Sequence, residues 1–241
     1  MRGATNRGLI ALVGSGEFLP VMDGVDRDLL EGRPPRAVFL PTAAAEEGDE
    51  RIRYWVELGT AHFRRLGAEP VALLVLDRAD ADDPALAAQV ASAGLIYLSG
   101  GNPGYLAETL RGTAVWSAIV AAWEAGASLA GCSAGAAALS AVAGNVRDPA
   151  RGEGRGLGLV PHVGVIPHFD RIEAWRPGLT TRILASAPPE ATVVGIDEDT
   201  ALVGGPQRWR VQGERTVTVF GRSPLGHERT VHGPGDELSL P

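Results

Sequence analysis

Ala130-Gly131-Cys132-Ser133-Ala134-Gly135-Ala136 stands between a short apolar run at 128–130 and a helix-forming run at 134–139. Within it, Gly131-Cys132-Ser133-Ala134-Gly135 matches G-x-S-x-G, the nucleophile elbow. That turn is strained and calls for small residues, since bulky side chains at its glycine positions would collide with strand and helix. Its geometry raises the serine hydroxyl above the carboxyl end of a strand and points a helix N-terminus at developing negative charge. Small residues also serve plain strand–helix packing, but a strand, a turn and a helix in this order favour Ser133 as a nucleophile. Cys132 precedes it, where an elbow side chain points into the sheet packing, so it reads as a small core hydrophobe. An oxyanion hole needs two backbone donors. The Ala134 N–H comes with the elbow, and the Gly101 N–H, in the turn Gly100-Gly101-Asn102, is the candidate second.

Outward from the elbow, apolar runs at 8–13, 37–40, 70–76 and 95–98 read as strands, with helical stretches at 49–66, 84–93, 104–111 and 114–125. In the last of these Val115, Ile119 and Ala122 recur at helical spacing and form one apolar stripe. Alternation of near-continuous apolar strands with helices predicts a three-layer α/β/α fold with a mostly parallel sheet covered on both faces. Beyond about Gly156 the runs at 163–166, 192–196, 200–203, 208–212 and 216–220 are short and separated by glycine-rich turns. They predict extra β-hairpins in the C-terminal third. With no internal repeat and no linker, residues 1–241 read as a single α/β domain.

Composition removes several classes of function. The net charge of −7 supplies no basic footprint, so a nucleic-acid partner is not expected. All 22 cationic side chains are arginine, which excludes a Schiff-base lysine, a P-loop lysine and a Ser–Lys dyad. One cysteine excludes an internal disulfide and a thiolate zinc cluster, and nothing calls for a metal or cofactor. No apolar run approaches the ~20 residues that span a bilayer, and no signal-peptide core precedes the first glycines. No membrane association is expected, and the expected location is cytoplasmic.

A serine nucleophile needs a base, and five histidines are available. His62 lies mid-helix beside Arg64 and Arg65 and reads as part of a solvated face. His227 and His232 fall in a polar C-terminal stretch. His162 precedes the strand at 163–166, which puts it at the far end of the sheet. His168 follows that strand, where a catalytic loop residue belongs.

The turn Gly100-Gly101-Asn102, the elbow, Ile166-Pro167-His168-Phe169-Asp170-Arg171 and the segment at 195–203 (GIDEDTALV) come in an order that resembles the S51 serine peptidases. That family comprises peptidase E, an aspartyl dipeptidase, and cyanophycinase, on a class I glutamine-amidotransferase-like fold. The resemblance runs from about Leu9 to Phe220. It implies peptide-bond hydrolysis next to acidic residues by a Ser–His–Glu triad, whose roles fall on Ser133, His168 and Glu198. Asp148 competes for the third role, because peptidase E also resembles this chain in having an aspartate there. A helix leaving the elbow at ~1.5 Å per residue carries Asp148 away, which favours Glu198. Asn102 and Arg171 are the candidate substrate contacts, since a guanidinium can take a carboxylate bidentately. One departure concerns substrate: cyanophycinases resemble GGNQ where this chain has Pro103. The expected partner is a small peptide substrate, with a homo-oligomer possible in principle. The competing readings are an α/β-hydrolase-type esterase and a non-catalytic binding protein on the same scaffold.

Overall fold

A computed structural model describes residues 7–144, 153–205, 207–223 and 226–240. Five parallel strands form the centre: β1 (Ile10–Val13), β2 (Arg36–Leu40), β3 (Glu69–Ala72), β4 (Leu95–Leu98) and β5 (Ser128–Cys132). A small antiparallel pair follows, β6 (Val142–Gly144) with β7 (Glu153–Arg155). The remaining strands are β8 (Val163–Ile166), β9 (Thr192–Ile196), β10 (Thr200–Gly204), β11 (Arg208–Gly213), β12 (Val217–Ser223), β13 (Gly226–His232) and β14 (Glu237–Ser239). The main sheet runs β14-β11-β10-β1-β5-β4-β2-β3, and a second runs β13-β12-β9-β8. The helices are α1 (Asp23–Leu30), α2 (Asp49–Arg65), α3 (Arg78–Asp82), α4 (Pro84–Ala88), α5 (Pro103–Leu110), α6 (Ala114–Glu124), α7 (Ala134–Leu139), α8 (Phe169–Trp175) and α9 (Leu179–Ser186).

The strands read as unbroken apolar runs because both faces of the sheet are covered. Successive side chains point to opposite faces. Ile10, Leu12, Val38, Leu40, Ile96 and Leu98 pack with α5, α6 and α7 on one side. Ala11, Val13, Phe39, Tyr97 and Cys132 pack with Leu29 of α1 and Phe63 of α2 on the other. This is the three-layer α/β/α architecture expected. The apolar stripe of α6 is buried through Val115 and Ile119, and Thr113 caps the helix by accepting from the Trp116 N–H.

One feature differs from the sequence reading, and a second goes beyond it. The helix expected at 84–93 is shorter, α4 ending at Ala88, and a separate short helix, α3, precedes it; Pro84 holds Asp83 extended between the two, and the Asp83 side chain caps α4 by accepting from the Ala85 N–H. The C-terminal third is also more than added hairpins. β10, β11 and β14 extend the main sheet beyond β1 through successive antiparallel pairings, while β8 and β9 pair in parallel within the second sheet. That parallel pair matters for the site, because it brings two strand ends out side by side.

Candidate active site

In open α/β sheets, ligands bind beyond the carboxyl ends of the strands. Here the ends of β1, β4 and β5 carry the turns Gly14–Glu17, Gly100-Gly101 and Ser133. The elbow depends on its glycines. A Cβ on Gly131 would lie 2.5 Å from the Gly135 carbonyl, and one on Gly135 would lie 2.2 Å from the Leu98 carbonyl oxygen. Both are backbone collisions, so α7 can start this close to β4 and β5 only with glycine at both positions. Ser133 takes φ 52° and ψ −107°, a conformation in which a non-glycine residue is strained. Its N–H donates to the Val13 carbonyl, which fixes it across β1.

His168 and Glu198 come from the second sheet. Ile166 at the end of β8 is in register with Gly195 on β9, so residues shortly past each strand emerge side by side. Gly195 has no Cβ to collide with the Phe169 ring, which lies over it, and this seats the start of α8. His168 itself is left-handed, φ 50° and ψ 39°, as the chain turns into that helix. The second sheet meets the first at Gly14, where a Cβ would be 2.0 Å from the Asp197 carbonyl.

The result is a line of three groups. Ser133 Oγ lies 2.9 Å from His168 Nε2, and His168 Nδ1 lies 3.0 Å from Glu198 Oε1. The His168 and Glu198 side chains are each 23% exposed, so a small molecule can reach them. A carboxylate on Nδ1 holds the proton there and leaves Nε2 as acceptor for the hydroxyl. The acidic turn is built rather than loosely solvated. The Glu198 N–H donates to Asp170, whose other oxygen accepts from Arg215 at 2.7 Å. Asp197 accepts from the backbone and hydroxyl of Thr216, and the Thr200 hydroxyl donates to the Glu198 carbonyl.

The Gly101 and Ala134 N–H groups have no acceptor among the described residues. Gly101 requires glycine, because its φ is 141° and a Cβ would sit 2.3 Å from the Ala43 carbonyl oxygen. Asn102, read from the sequence as a substrate contact, is placed differently. It is 1% exposed, its Oδ1 caps α5 at Tyr105, and its Nδ2 donates to Glu46. Pro103 occupies the first turn of α5, which makes the residue before it the cap. Arg171 lies at the site mouth with its side chain 54% exposed, its Nε 3.6 Å from both Glu198 and Asp170. Asp148 lies outside the described residues.

Cys132 is fully buried, and burial, followed by the charge of Glu17, pushes its thiol well above the usual range. It stays a thiol and donates to Glu17 Oε2 at 2.9 Å. Glu17 is a residue the sequence reading missed. Its other oxygen accepts from the Gly100 N–H, so one buried carboxylate ties the turns after β1 and β4 to the elbow strand. The signal available was an acid closing the turn Gly14-Ser15-Gly16 at the end of the first strand.

His62 requires a correction. It was expected on a solvated face of its helix but is fully buried, with Nε2 2.8 Å from Asp26 and Nδ1 accepting from Arg65. The Phe18 and Phe63 rings pack against it. The flanking arginines suggested solvent, but Arg65 turns back to bond both Asp23 and the imidazole. Among the described residues no group of three or more His, Cys, Asp or Glu side chains is arranged to hold a metal ion. No helix among them is long and apolar enough to cross a membrane.

Fold and geometry together define an α/β/α protein with a nucleophile elbow and an imidazole–carboxylate pair beside it. The family follows from comparison: the model of peptidase family S51 matches residues 10–210, and the chain belongs to that family. Cyanophycinases from Synechococcus elongatus and Thermosynechococcus vestitus are 33% identical over 201 residues, covering 79% of this chain and 60% of theirs. The chain therefore spans about 60% of the length of the curated relatives it matches. The crystal structure of a peptidase from an acI-B1 Actinobacterium superposes with a TM-score of 0.88 at 40% identity, covering 97% of each chain. A provisionally assigned peptidase E from Listeria monocytogenes superposes with a TM-score of 0.61 at 20% identity, covering 86% of this chain and 98% of its own. That last likeness is one of fold.

Proposed function

We propose that the protein is a serine peptidase that cleaves short peptides at acidic, aspartyl residues. The observation that carries this reading is the unbroken line Ser133–His168–Glu198, at 2.9 and 3.0 Å. In this reading Ser133 Oγ attacks the scissile carbonyl carbon while His168 Nε2 takes the hydroxyl proton. The tetrahedral oxyanion is held by the Gly101 and Ala134 N–H groups. His168 passes its proton to the leaving nitrogen, the C–N bond breaks and an acyl-serine remains. Water, deprotonated by the same imidazole, then releases the acid and restores Ser133. Glu198 fixes the imidazole tautomer and stabilises the imidazolium. Arg171 receives the substrate carboxylate at the mouth of the site, a charge-assisted pairing that favours acid over amide by roughly one to two decades.

A second reading, cyanophycin breakdown, draws on the names of the 33% identical relatives. Against it stands position 103, where a buried proline starting α5 offers no polar group to a substrate. The deciding measurement is kcat/KM on Asp-Leu and Asn-Leu beside a cyanophycin assay. A clear preference for Asp-Leu supports the dipeptidase. Equal dipeptide values, or cleavage of neither with rapid cyanophycin breakdown, reject it. Ser133→Ala is expected to lose several orders of magnitude in kcat and all labelling by a fluorophosphonate probe, while Cys132→Ala keeps most activity. Equal activity in Ser133→Ala and wild type would overturn the mechanism.

A further inference from the structure

Trp175 ends α8 and leaves 58% of its surface in water, although an indole is among the most costly side chains to expose. Other large exposed apolar groups exist, such as Leu19, Leu74 and Tyr54, but Tyr54 packs edge-to-face with Trp55 and lies under Arg51. Trp175 is placed differently. Its ring centroid is 5.4 Å from that of His168, with the planes tilted by 57°. The indole therefore packs at a tilt against the base of the proposed triad, and more than half of it is open to water.

We infer that the open face of Trp175 is a subsite for an apolar or aromatic side chain on the residue released as the amine. The inference rests on the peptidase reading above and adds a specificity determinant to it. The side of the scissile bond follows from the chemistry. His168 Nε2, bonded to Ser133 Oγ at rest, must turn its proton toward the leaving nitrogen once the serine has attacked. The leaving residue therefore passes over the imidazole, and the surface adjoining the imidazole meets that residue's side chain. Trp175 is that surface. Arg171 lies four residues earlier on the same short helix, so the two share a face. One helix can thus hold a carboxylate and an apolar side chain of the same short peptide.

The test is kcat/KM for Asp-Gly, Asp-Ala, Asp-Leu and Asp-Phe with wild type, Trp175→Ala and Trp175→Phe. Burial of a leucine or phenylalanine side chain against the indole predicts a wild-type preference over Asp-Gly of about tenfold or more. Trp175→Ala is expected to bring that ratio close to one, and Trp175→Phe to retain much of it. A residue that merely supports His168 would behave otherwise, lowering kcat on all four substrates alike and leaving the ratio unchanged; that result would overturn the inference. If wild type cleaves none of the four, the peptidase reading fails, and binding decides the subsite separately. Ser133→Ala protein titrated with Asp-Leu and Asp-Gly should bind the former several-fold more tightly, with an emission change absent when Trp175→Phe is added. Equal affinity for the two, or binding of neither, rejects the subsite.

Discussion

Replacing Gly135 by alanine adds one methyl group, and its surroundings set the cost. The new Cβ would stand 2.2 Å from the Leu98 carbonyl oxygen and 3.0 Å from the Leu98 Cβ, whereas ordinary contact begins at about 3.4 Å. Something must move by about an ångström, and the obstructing atom is backbone in the middle of the sheet. Overpacking of a rigid core costs about 1–3 kcal/mol, and a fixed carbonyl argues for the upper end. At about 2–4 °C per kcal/mol for a chain of this size, the melting temperature should fall by roughly 6–12 °C. Activity should suffer as well, because the displaced element is α7, whose first N–H is the proposed oxyanion donor. A misplacement of about 1 Å near the reacting atoms can cost about 10²-fold. Calorimetry and the rate of fluorophosphonate labelling read the two effects separately. Gly24→Ala is the control: Gly24 lies in α1 with nothing within 4 Å of its added Cβ, and it is not among the residues with positive φ. There the same change should stabilise by about 0.4–1 kcal/mol. A Gly135→Ala protein that melts and labels like wild type would refute the claim that the elbow needs glycine for close approach.

Two further outcomes are expected. Glu198→Gln should lower kcat by about 10³–10⁴-fold with KM little changed, because an amide no longer fixes the imidazole tautomer; if Asp148→Asn silences the enzyme and Glu198→Gln does not, the acid has been misassigned. Asp26, fully buried, has its carboxyl pushed above its ordinary 3.8 by desolvation, which outweighs the bond from His62. A raised folded-state value means that the native protein holds this proton more tightly than the unfolded chain does. The contribution to stability is complete below 3.8 and is lost as pH rises through the folded value. Asp26→Asn should therefore gain stability relative to wild type as pH rises, read from urea unfolding at pH 4 and pH 8; a difference that stays constant between the two would contradict the assignment.

What the sequence made legible divides along lines of range. The elbow is local, since every atom that constrains Gly131, Ser133 and Gly135 lies within a few residues or on the adjacent strand, and the small-residue pattern records that crowding directly. The main parallel sheet is legible for a related reason: strands covered on both faces must be apolar at every position. The pairing of β8 with β9 is not legible in the same way. Strands 163–166 and 192–196 carry no mark of which neighbour each will choose, and a parallel partner across two intervening helices is indistinguishable in composition from one arm of a hairpin.

The histidines show the same division more sharply. His168 could be singled out because its surroundings in the chain, an apolar strand ending at Ile166 and a helix starting at Phe169, predict where it emerges. His62 is misplaced in the sequence reading because Arg64 and Arg65, just beyond it, suggest solvent, while the fold brings Asp26 and Phe18 from distant parts of the chain against it. Glu17 was passed over for the converse reason. An acid in a glycine-rich turn reads as solvated, and only the arrival of the Gly100 amide and the Cys132 thiol from two other strands makes it a buried tie. A polar side chain takes its role from the donors and acceptors that the fold brings to it. Its type and its immediate neighbours restrict that role only where, as at Ser133, backbone sterics leave few alternatives.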